Sequence, residues 1–296
     1  MAAKIIDGNK VAEDMRAELK EEVSMLMKKG IVPGLGVILV GQDPASQSYV
    51  TAKERACEEI GIYSDDNRLP AETSQEDLMA VVERMNRDPK INGILVQLPL
   101  PKGLNEAEVL LAIDPDKDVD GFHPMNVGKM VVGEKAFLPC TPHGVIQLLI
   151  RNGVKIESAH VVIVGRSNIV GKPLANMLIQ KNAKGNATVT VCHTRTKDLA
   201  KHTKQADIII AAAGKPNTIT ADMVKEGVVV IDVGVNRIED ATKKKGYRLV
   251  GDVDFEAVKE KASLITPVPG GVGPMTITML LYNTVESAKR AAGLVT

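Results

Sequence analysis

Tyr49 and Lys53 stand four residues apart, the spacing that puts two side chains on one face of a helix. A phenol and an amine so placed could stack on a planar ligand and move a proton, although the same spacing arises by chance on solvated helices. Gln97 closes the apolar run Ile91-Asn-Gly-Ile-Leu-Val-Gln97, at the end of a predicted strand, where α/β proteins place polar site groups. Asp120 ends the acidic turn Asp116-Lys-Asp-Val-Asp-Gly121. Its carboxylate could accept from adjacent N–H donors on a ring, or it could serve an Asx-type turn. The turn imitates the start of a calcium loop, but its twelfth position is Val127 where a bidentate Glu is needed, so calcium is excluded.

A second group of residues suits a phosphate. Ala159-His-Val-Val-Ile-Val-Gly165 reads as a buried parallel strand, and Arg166-Ser-Asn-Ile-Val-Gly-Lys-Pro173 as a glycine-bearing turn into a helix. Backbone N–H groups and the positive end of the helix dipole make such a turn an anion site, to which Arg166 adds a guanidinium. Five residues separate Gly165 from Gly171 and Pro173 follows Lys172, so this is not a P-loop. Ser167 replaces the second glycine of the common dinucleotide fingerprint. The next strand, Ala187 to Cys192, ends in His193-Thr194-Arg195, with no Asp or Glu between Thr188 and Lys197. A carboxylate there would accept from a ribose 2′-OH, whereas an Arg suits a 2′-phosphate. The residues therefore point to NADP in preference to NAD. Strands at Ala206–Gly214 and Gly227–Gly234, alternating with helical segments, complete a doubly wound pattern.

These groups need elements to carry them. The spacing predicts helices over Asp7–Lys29, Ser46–Glu59, Ser74–Asp88, Glu106–Ile113, His143–Asn152 and Met275–Ala292, with strands at Leu35–Val40 and Ile91–Gln97. Gly61 should stop the second helix, and Thr73 or Ser74 should cap the third. The loop Ile265-Thr-Pro-Val-Pro-Gly-Gly-Val-Gly-Pro-Met-Thr276 is rigid and poor in side chains, so a planar ligand could approach its backbone closely. The expected fold is α/β in two domains with a cleft between them. Residues 1–142 would form the catalytic domain, with a helix over 275–296 returning to it, and residues 143–274 a Rossmann-like nucleotide domain.

Composition narrows the class. Lys+Arg and Asp+Glu balance at 37 each, and aromatics are 2% with no Trp, which disfavours a nucleic-acid partner. The Lys243-Lys244-Lys245 run reads as a solvated hairpin loop. Apolar runs are too short for a bilayer, and Met1 to Lys10 lacks the apolar region of a signal peptide. Cys57, Cys140 and Cys192 are scattered and odd in number, which favours reduced, buried thiols and a cytoplasmic location. No Cys/His clustering suggests a metal.

Taken together, Tyr49/Lys53, Val96-Gln-Leu-Pro-Leu-Pro101, Lys117-Asp-Val-Asp-Gly-Phe122, Gly165-Arg-Ser…Val-Gly-Lys-Pro173, Ile231-Asp-Val-Gly-Val-Asn236 and the Thr266–Thr276 loop resemble the bifunctional methylenetetrahydrofolate dehydrogenase/methenyltetrahydrofolate cyclohydrolase family. The resemblance spans nearly the whole chain, in the family's motif order. It implies oxidation of 5,10-methylenetetrahydrofolate by NADP, then hydrolysis to 10-formyltetrahydrofolate, in a homodimer. It makes Lys53 the central catalytic residue, Gln97 its hydrogen-bonded partner, Tyr49 a stacking surface and Asp120 the group that grips the pterin. Val96, Leu98, Pro269, Gly270 and Gly271 would line the folate. Gly165, Arg166, Ser167, Thr194, Arg195 and Val235 would bind the dinucleotide. A methenyl cation would be repelled by an ammonium, so Lys53 is expected to act partly as the neutral amine. Lys181 to Asn186 is longer than usual, and some family members extended there use NAD. A short-chain dehydrogenase also has a Tyr-x-x-x-Lys pair, but after its nucleotide turn, whereas here the pair precedes it by more than a hundred residues. A non-catalytic binding protein would have no need of both Tyr49 and Lys53.

Overall fold

A computed structural model describes residues 3–243 and 246–294, which form two compact units. One holds residues 13–140 with 277–294, the other residues 3–12 with 141–276.

In chain order the elements begin with β1 (Lys4–Ile5), α1 (Gly8–Met27), β2 (Gly34–Val40), α2 (Pro44–Ile60) and β3 (Tyr63–Leu69). There follow α3 (Gln75–Arg87), β4 (Gly93–Val96), α4 (Glu106–Ala112), α5 (Pro124–Val132) and α6 (Cys140–Arg151). Then come β5 (His160–Val164), α7 (Gly171–Ile179), β6 (Thr188–Cys192), α8 (Leu199–Thr203), β7 (Ile208–Ala211) and a 3-10 turn at Ala221–Met223. The last are β8 (Val229–Asp232), β9 (Asn236–Glu239), β10 (Tyr247–Val250), α9 (Phe255–Lys259), β11 (Leu264–Ile265) and α10 (Val272–Ala291).

The first unit is built on a parallel sheet of order β3-β2-β4. All seven residues of β2 are buried, as its unbroken apolar run requires for a central strand. Leu78, Val82 and Met85 of α3 pack against Ile38, Ile94 and Val96, and each such buried side chain stabilises by roughly 1.5–3 kcal/mol. α2 starts where Asp43 accepts from the Ser46 N–H at 2.8 Å, and stops at Gly61, whose φ of 85° only glycine adopts cheaply. Ser74 caps α3 through the Asp77 N–H. Strand β3 was not anticipated, because Ser-Asp-Asp-Asn-Arg carries no apolar run. It is an edge strand paired along the whole of β2, and its charges bond laterally: Arg68 to Asp66 at 2.6 Å and to Glu54 at 2.8 Å.

The second unit holds a parallel sheet of order β1-β11-β8-β7-β5-β6 over a core that includes Val162, Val164, Ile209, Val230 and Ile265. The expected placement of residues 1–142 in one domain is corrected at its start. Lys4 and Ile5 pair with Leu264 and Ile265, and Gly8 N–H donates to the Gly270 carbonyl at 2.9 Å, so residues 3–12 belong with the second unit. The chain also changes unit between Cys140 and Thr141 and again within α10. α6 begins three residues before the expected His143 and α10 three before Met275, with Pro274 in its first turn. β9 and β10 flank the lysine run as an antiparallel hairpin, although Lys244 and Lys245 lie outside the described residues. Among the described residues no helix is long and apolar enough to cross a membrane, and no group of His, Cys, Asp or Glu could hold a metal.

Candidate active site

Helix α2 presents Tyr49, Lys53 and Cys57 at intervals of four, one face of two successive turns. Tyr49 is 44% exposed and Lys53 only 7%, so the phenol meets solvent while the amine is withdrawn beneath it. Gln97 leaves the end of β4, next to β2 in the sheet. Lys53 Nζ donates to Gln97 Oε1 at 3.1 Å. Gln97 Nε2 donates to its neighbour's carbonyl, Leu98 O, at 2.7 Å, and this second bond fixes which end of the amide faces the lysine. The side chain of Val96 lies in the core and Leu98 is half-buried.

The acidic turn follows from β4 as well. Ile94 N–H donates to Lys117 O at 2.8 Å, and Ile94 bridges Asp118 in parallel register. Asp118 is buried and accepts from Phe122 N at 3.1 Å, His123 N at 2.8 Å and Asn126 Nδ2 at 2.9 Å. It is the structural carboxylate of the turn, and burial pushes it up to about 6. Gly121 has φ 72°, and a Cβ there would strike the backbone of Phe137 to Pro139. Held in this way, Asp120 comes close enough to Lys53 for their charges to act on one another, and the Cys140 thiol donates to Val119 O at 3.3 Å and interacts with the Asp120 carboxylate.

Burial lowers the pKa of Lys53, opposed first by Asp120 and then by Cys140 and Cys57. Burial raises Asp120, opposed by Lys53 and by the bond from Cys140. The result is an amine that yields its proton more easily than a free lysine, beside an acceptor and a carboxylate. Burial also drives the Cys57 thiol up to about 12 and Cys140 well above its ordinary value, so both are protonated. All three cysteines are free and buried. The place of Cys140 in this cluster was not visible in sequence, where nothing ties it by spacing to Lys53.

In the other unit, β5 delivers Gly165 with φ 140°, and a Cβ there would run into the Ala212 carbonyl. A Cβ on Gly171 would meet Gly165 O. These glycines let the strand, the turn and α7 close together. Ser167 is exposed, and its hydroxyl accepts from Val170 N at 3.1 Å and Gly171 N at 3.4 Å, so part of the helix N-terminus is capped by the chain itself. Arg166, Thr194 and Arg195 are all exposed, and Arg195 N–H is turned onto His193 Nδ1 at 3.1 Å. A glycine-tightened turn at a helix N-terminus with free-standing guanidinium groups fits a phosphorylated dinucleotide. Val235 is 52% exposed just beyond β8. Of the loop after β11, Pro269 is exposed, Gly270 half-buried with φ 97°, and Gly271 buried against Pro267 O and Thr266.

Two family models cover most of the chain. The description "Tetrahydrofolate dehydrogenase/cyclohydrolase, catalytic domain" matches residues 6–120, and its "NAD(P)-binding domain" matches residues 139–292. A relative from Syntrophus aciditrophicus called "Bifunctional protein FolD" is 60% identical over 294 residues, 99% of this chain and 100% of its own. The crystal structure of the bifunctional FolD methylenetetrahydrofolate dehydrogenase/cyclohydrolase from Campylobacter jejuni superposes with TM-score 0.92 at 52% identity, covering 98% of this chain and 99% of its own. The Trypanosoma brucei enzyme, solved with NADP and an inhibitor, gives TM-score 0.93 at 41% identity and 99% coverage of both chains.

Proposed function

The chain belongs to the tetrahydrofolate dehydrogenase/cyclohydrolase family and is a bifunctional enzyme, oxidising 5,10-methylenetetrahydrofolate with NADP and hydrolysing the methenyl product to 10-formyltetrahydrofolate; we propose that Lys53, Gln97, Tyr49 and Asp120 carry its chemistry. The observation behind this assignment is the 3.1 Å bond from Lys53 Nζ to Gln97 Oε1, in a buried setting that lowers the amine's pKa.

Oxidation takes a hydride, with its electron pair, from the methylene carbon and leaves a cation shared between two nitrogens. NADP supplies the acceptor for that hydride. An ammonium beside the new cation would raise the barrier, and a neutral amine does not. Gln97 Oε1 accepts one N–H of that amine, so the nitrogen lone pair is directed elsewhere, toward the reacting carbon in this reading. Hydrolysis then needs water added to the cationic carbon. Lys53 takes the water proton, the bond from carbon to N5 breaks, and the proton is returned to N5, with one proton released to solvent overall. Tyr49 offers a half-exposed ring for stacking, and Asp120 an acceptor for pterin N–H donors. Val96, Leu98, Pro269, Gly270 and Gly271 complete the folate contacts of this reading. Gly165, Arg166, Ser167, Thr194, Arg195 and Val235 would hold the dinucleotide, with Arg166 and Arg195 supplying positive charge for a 2′-phosphate.

The enzyme works as a cytoplasmic homodimer in this reading, supported by the reduced, buried cysteines for location and by family likeness for assembly. Light scattering behind size exclusion checks the dimer. The assay that tests the whole assignment follows methenyl formation and reduced nicotinamide from methylenetetrahydrofolate with each dinucleotide, then decay of methenyltetrahydrofolate alone. Retention of both activities on replacing Lys53 and Gln97 together would remove them from the chemistry.

A further inference from the structure

Asp232 and Asp252 are 3% and 0% exposed, and both lie at the carboxyl ends of strands in the nucleotide unit. Asp252 Oδ2 accepts from Ala213 N at 2.6 Å and Gly214 N at 2.8 Å, two successive amides of the loop after β7. Its Oδ1 accepts from Asn236 Nδ2 at 2.9 Å, at the start of β9. Its own carbonyl takes Thr218 N at 2.7 Å, further along the same β7 loop. Asp232, the last residue of β8, in turn seats Asp252. Its Oδ1 accepts from Asp252 N at 2.9 Å and Gly234 N at 3.0 Å, and its Oδ2 from Val253 N at 3.0 Å. The Asp232 N–H donates to Thr266 Oγ1 at 2.7 Å, just after β11.

Two glycines make room for this arrangement. A Cβ on Gly234 would land on the Asp252 carboxylate, and one on Gly251 would land on that of Asp232. One pair of acids therefore binds the loops after β7, β8, β10 and β11. Three of these strands, β11, β8 and β7, are neighbours in the sheet. Asp232 also lines a cavity of about 510 Å³ with Pro216, Asn217, Pro267 and Val268, from the loops after β7 and β11. In doubly wound folds ligands bind outside the carboxyl ends of the strands. The amides of Ala213 and Gly214 are spent inward on Asp252, so what the loop offers a ligand is its shape, and the acid sets that shape.

We propose that Asp252, seated by Asp232, is a positioning residue for the dinucleotide: it holds the 213–217 and 233–236 loops in the form that binds NADP, and touches neither ligand nor reacting atoms. This rests on the reading above that the unit binds NADP. A residue that merely held the chain together would affect both activities alike. A positioning residue for the dinucleotide affects the NADP-dependent step and spares hydrolysis of methenyltetrahydrofolate, which needs no dinucleotide.

The test is Asp252→Asn, which sets an NH2 against N–H donors on one side or the other. Wild type is first assayed for both reactions, and absence of NADP-dependent oxidation there would count against the functional reading itself. In the variant KM for NADP is expected to rise about tenfold or more, as for a buried charge-assisted bond lost. Hydrolysis is expected to stay within about twofold of wild type, as for a site not sharing partners with the change. An unchanged KM overturns the proposal, and so does a parallel fall in both activities with the fold retained. Should Asp252→Asn fail to fold, Asn236→Ala decides, since it removes one leg of the arrangement. A rise in KM of about threefold or more with hydrolysis intact supports the proposal, as for the loss of the Asn236 Nδ2 bonds to Asp252 Oδ1 and Gly251 O, and no change overturns it.

Discussion

Lys53 Nζ stands 3.1 Å from Gln97 Oε1, and the other end of the same amide is tied to Leu98 O at 2.7 Å. The amine thus meets a neutral acceptor that cannot turn to offer it a competing N–H. Lys53→Met removes the proposed proton carrier and leaves the proposed dinucleotide residues, in the other unit, unaltered. Hydrolysis should fall by about a hundredfold or more, while NADP affinity stays within about twofold. Gln97→Glu puts a charge beside the amine, favours the ammonium, and should slow hydrolysis at neutral pH by about tenfold for each unit that the pKa rises. Steady-state hydrolysis and dinucleotide titration check both variants. Brisk hydrolysis by the methionine variant would take Lys53 out of the step.

The pH profile carries a second expectation. With the neutral amine as the proposed working form, hydrolysis should rise with pH through the Lys53 pKa, which burial lowers and Asp120 partly restores. Asp120→Asn removes the largest group that favours the ammonium, so the rising limb of kcat should move to lower pH. KM for the folate should rise at the same time as a pterin acceptor is weakened. A limb that moves to higher pH, or stays where it was, would show that Asp120 does not act on the amine.

Much of this was legible in sequence because the relevant signals are local. Helix α2 announces itself by Gly61 at its end, although it starts at Pro44, two residues before the expected Ser46, and β2, β5, β7 and β8 announce themselves by buried apolar runs. Gln97 could be placed because it ends such a run. What escaped depends on long-range pairing. Strand β3 is polar and exists because β2 offers it an edge, and β1 is two residues long and exists because β11 does. Cys140 joins Asp120 across an intervening turn and helix. Asp232 and Asp252 are bonded to loops from four strands, and no spacing rule links a residue that ends one strand to another twenty positions on. Ser167 was expected among the dinucleotide residues, and what its type and position do not reveal is that its hydroxyl accepts from two amides of its own turn.

In the proposed reading cofactor choice rests on Arg166 and Arg195, both exposed after β5 and β6, with no carboxylate at the end of β6 to take a ribose hydroxyl. Arg195→Ala should raise KM for NADP by about tenfold or more, the loss of a charge-assisted contact, and leave KM for NAD nearly unchanged. The extended link into β6 is an ordered turn, with Gly185 N and Asn186 N bonded to Asn182 O and Gln180 O. It adds no carboxylate and is not expected to reverse the preference. A higher kcat/KM with NAD than with NADP in the wild-type enzyme would overturn the 2′-phosphate assignment.

His143, buried in α6, gives a prediction about stability. Gln147 Nε2 lies 3.3 Å from its Nε2, a contact that suits a neutral imidazole with Nε2 as acceptor. Burial, and then the charge of Lys184, lower its pKa to about 4. The folded value lies below that of the unfolded chain, so unfolding binds a proton as soon as the pH drops below about 6.5. The histidine's contribution is therefore complete above that pH and is lost as the pH falls toward about 4, by up to about 3 kcal/mol. His143→Leu removes the proton site from a buried position at little cost in volume. Its stability should decline less than that of wild type between pH 6.5 and pH 4, with the gap between the two proteins changing by that amount. Urea midpoints at intervals across this window measure the gap, and parallel curves for the two proteins would show that His143 takes no part in acid unfolding.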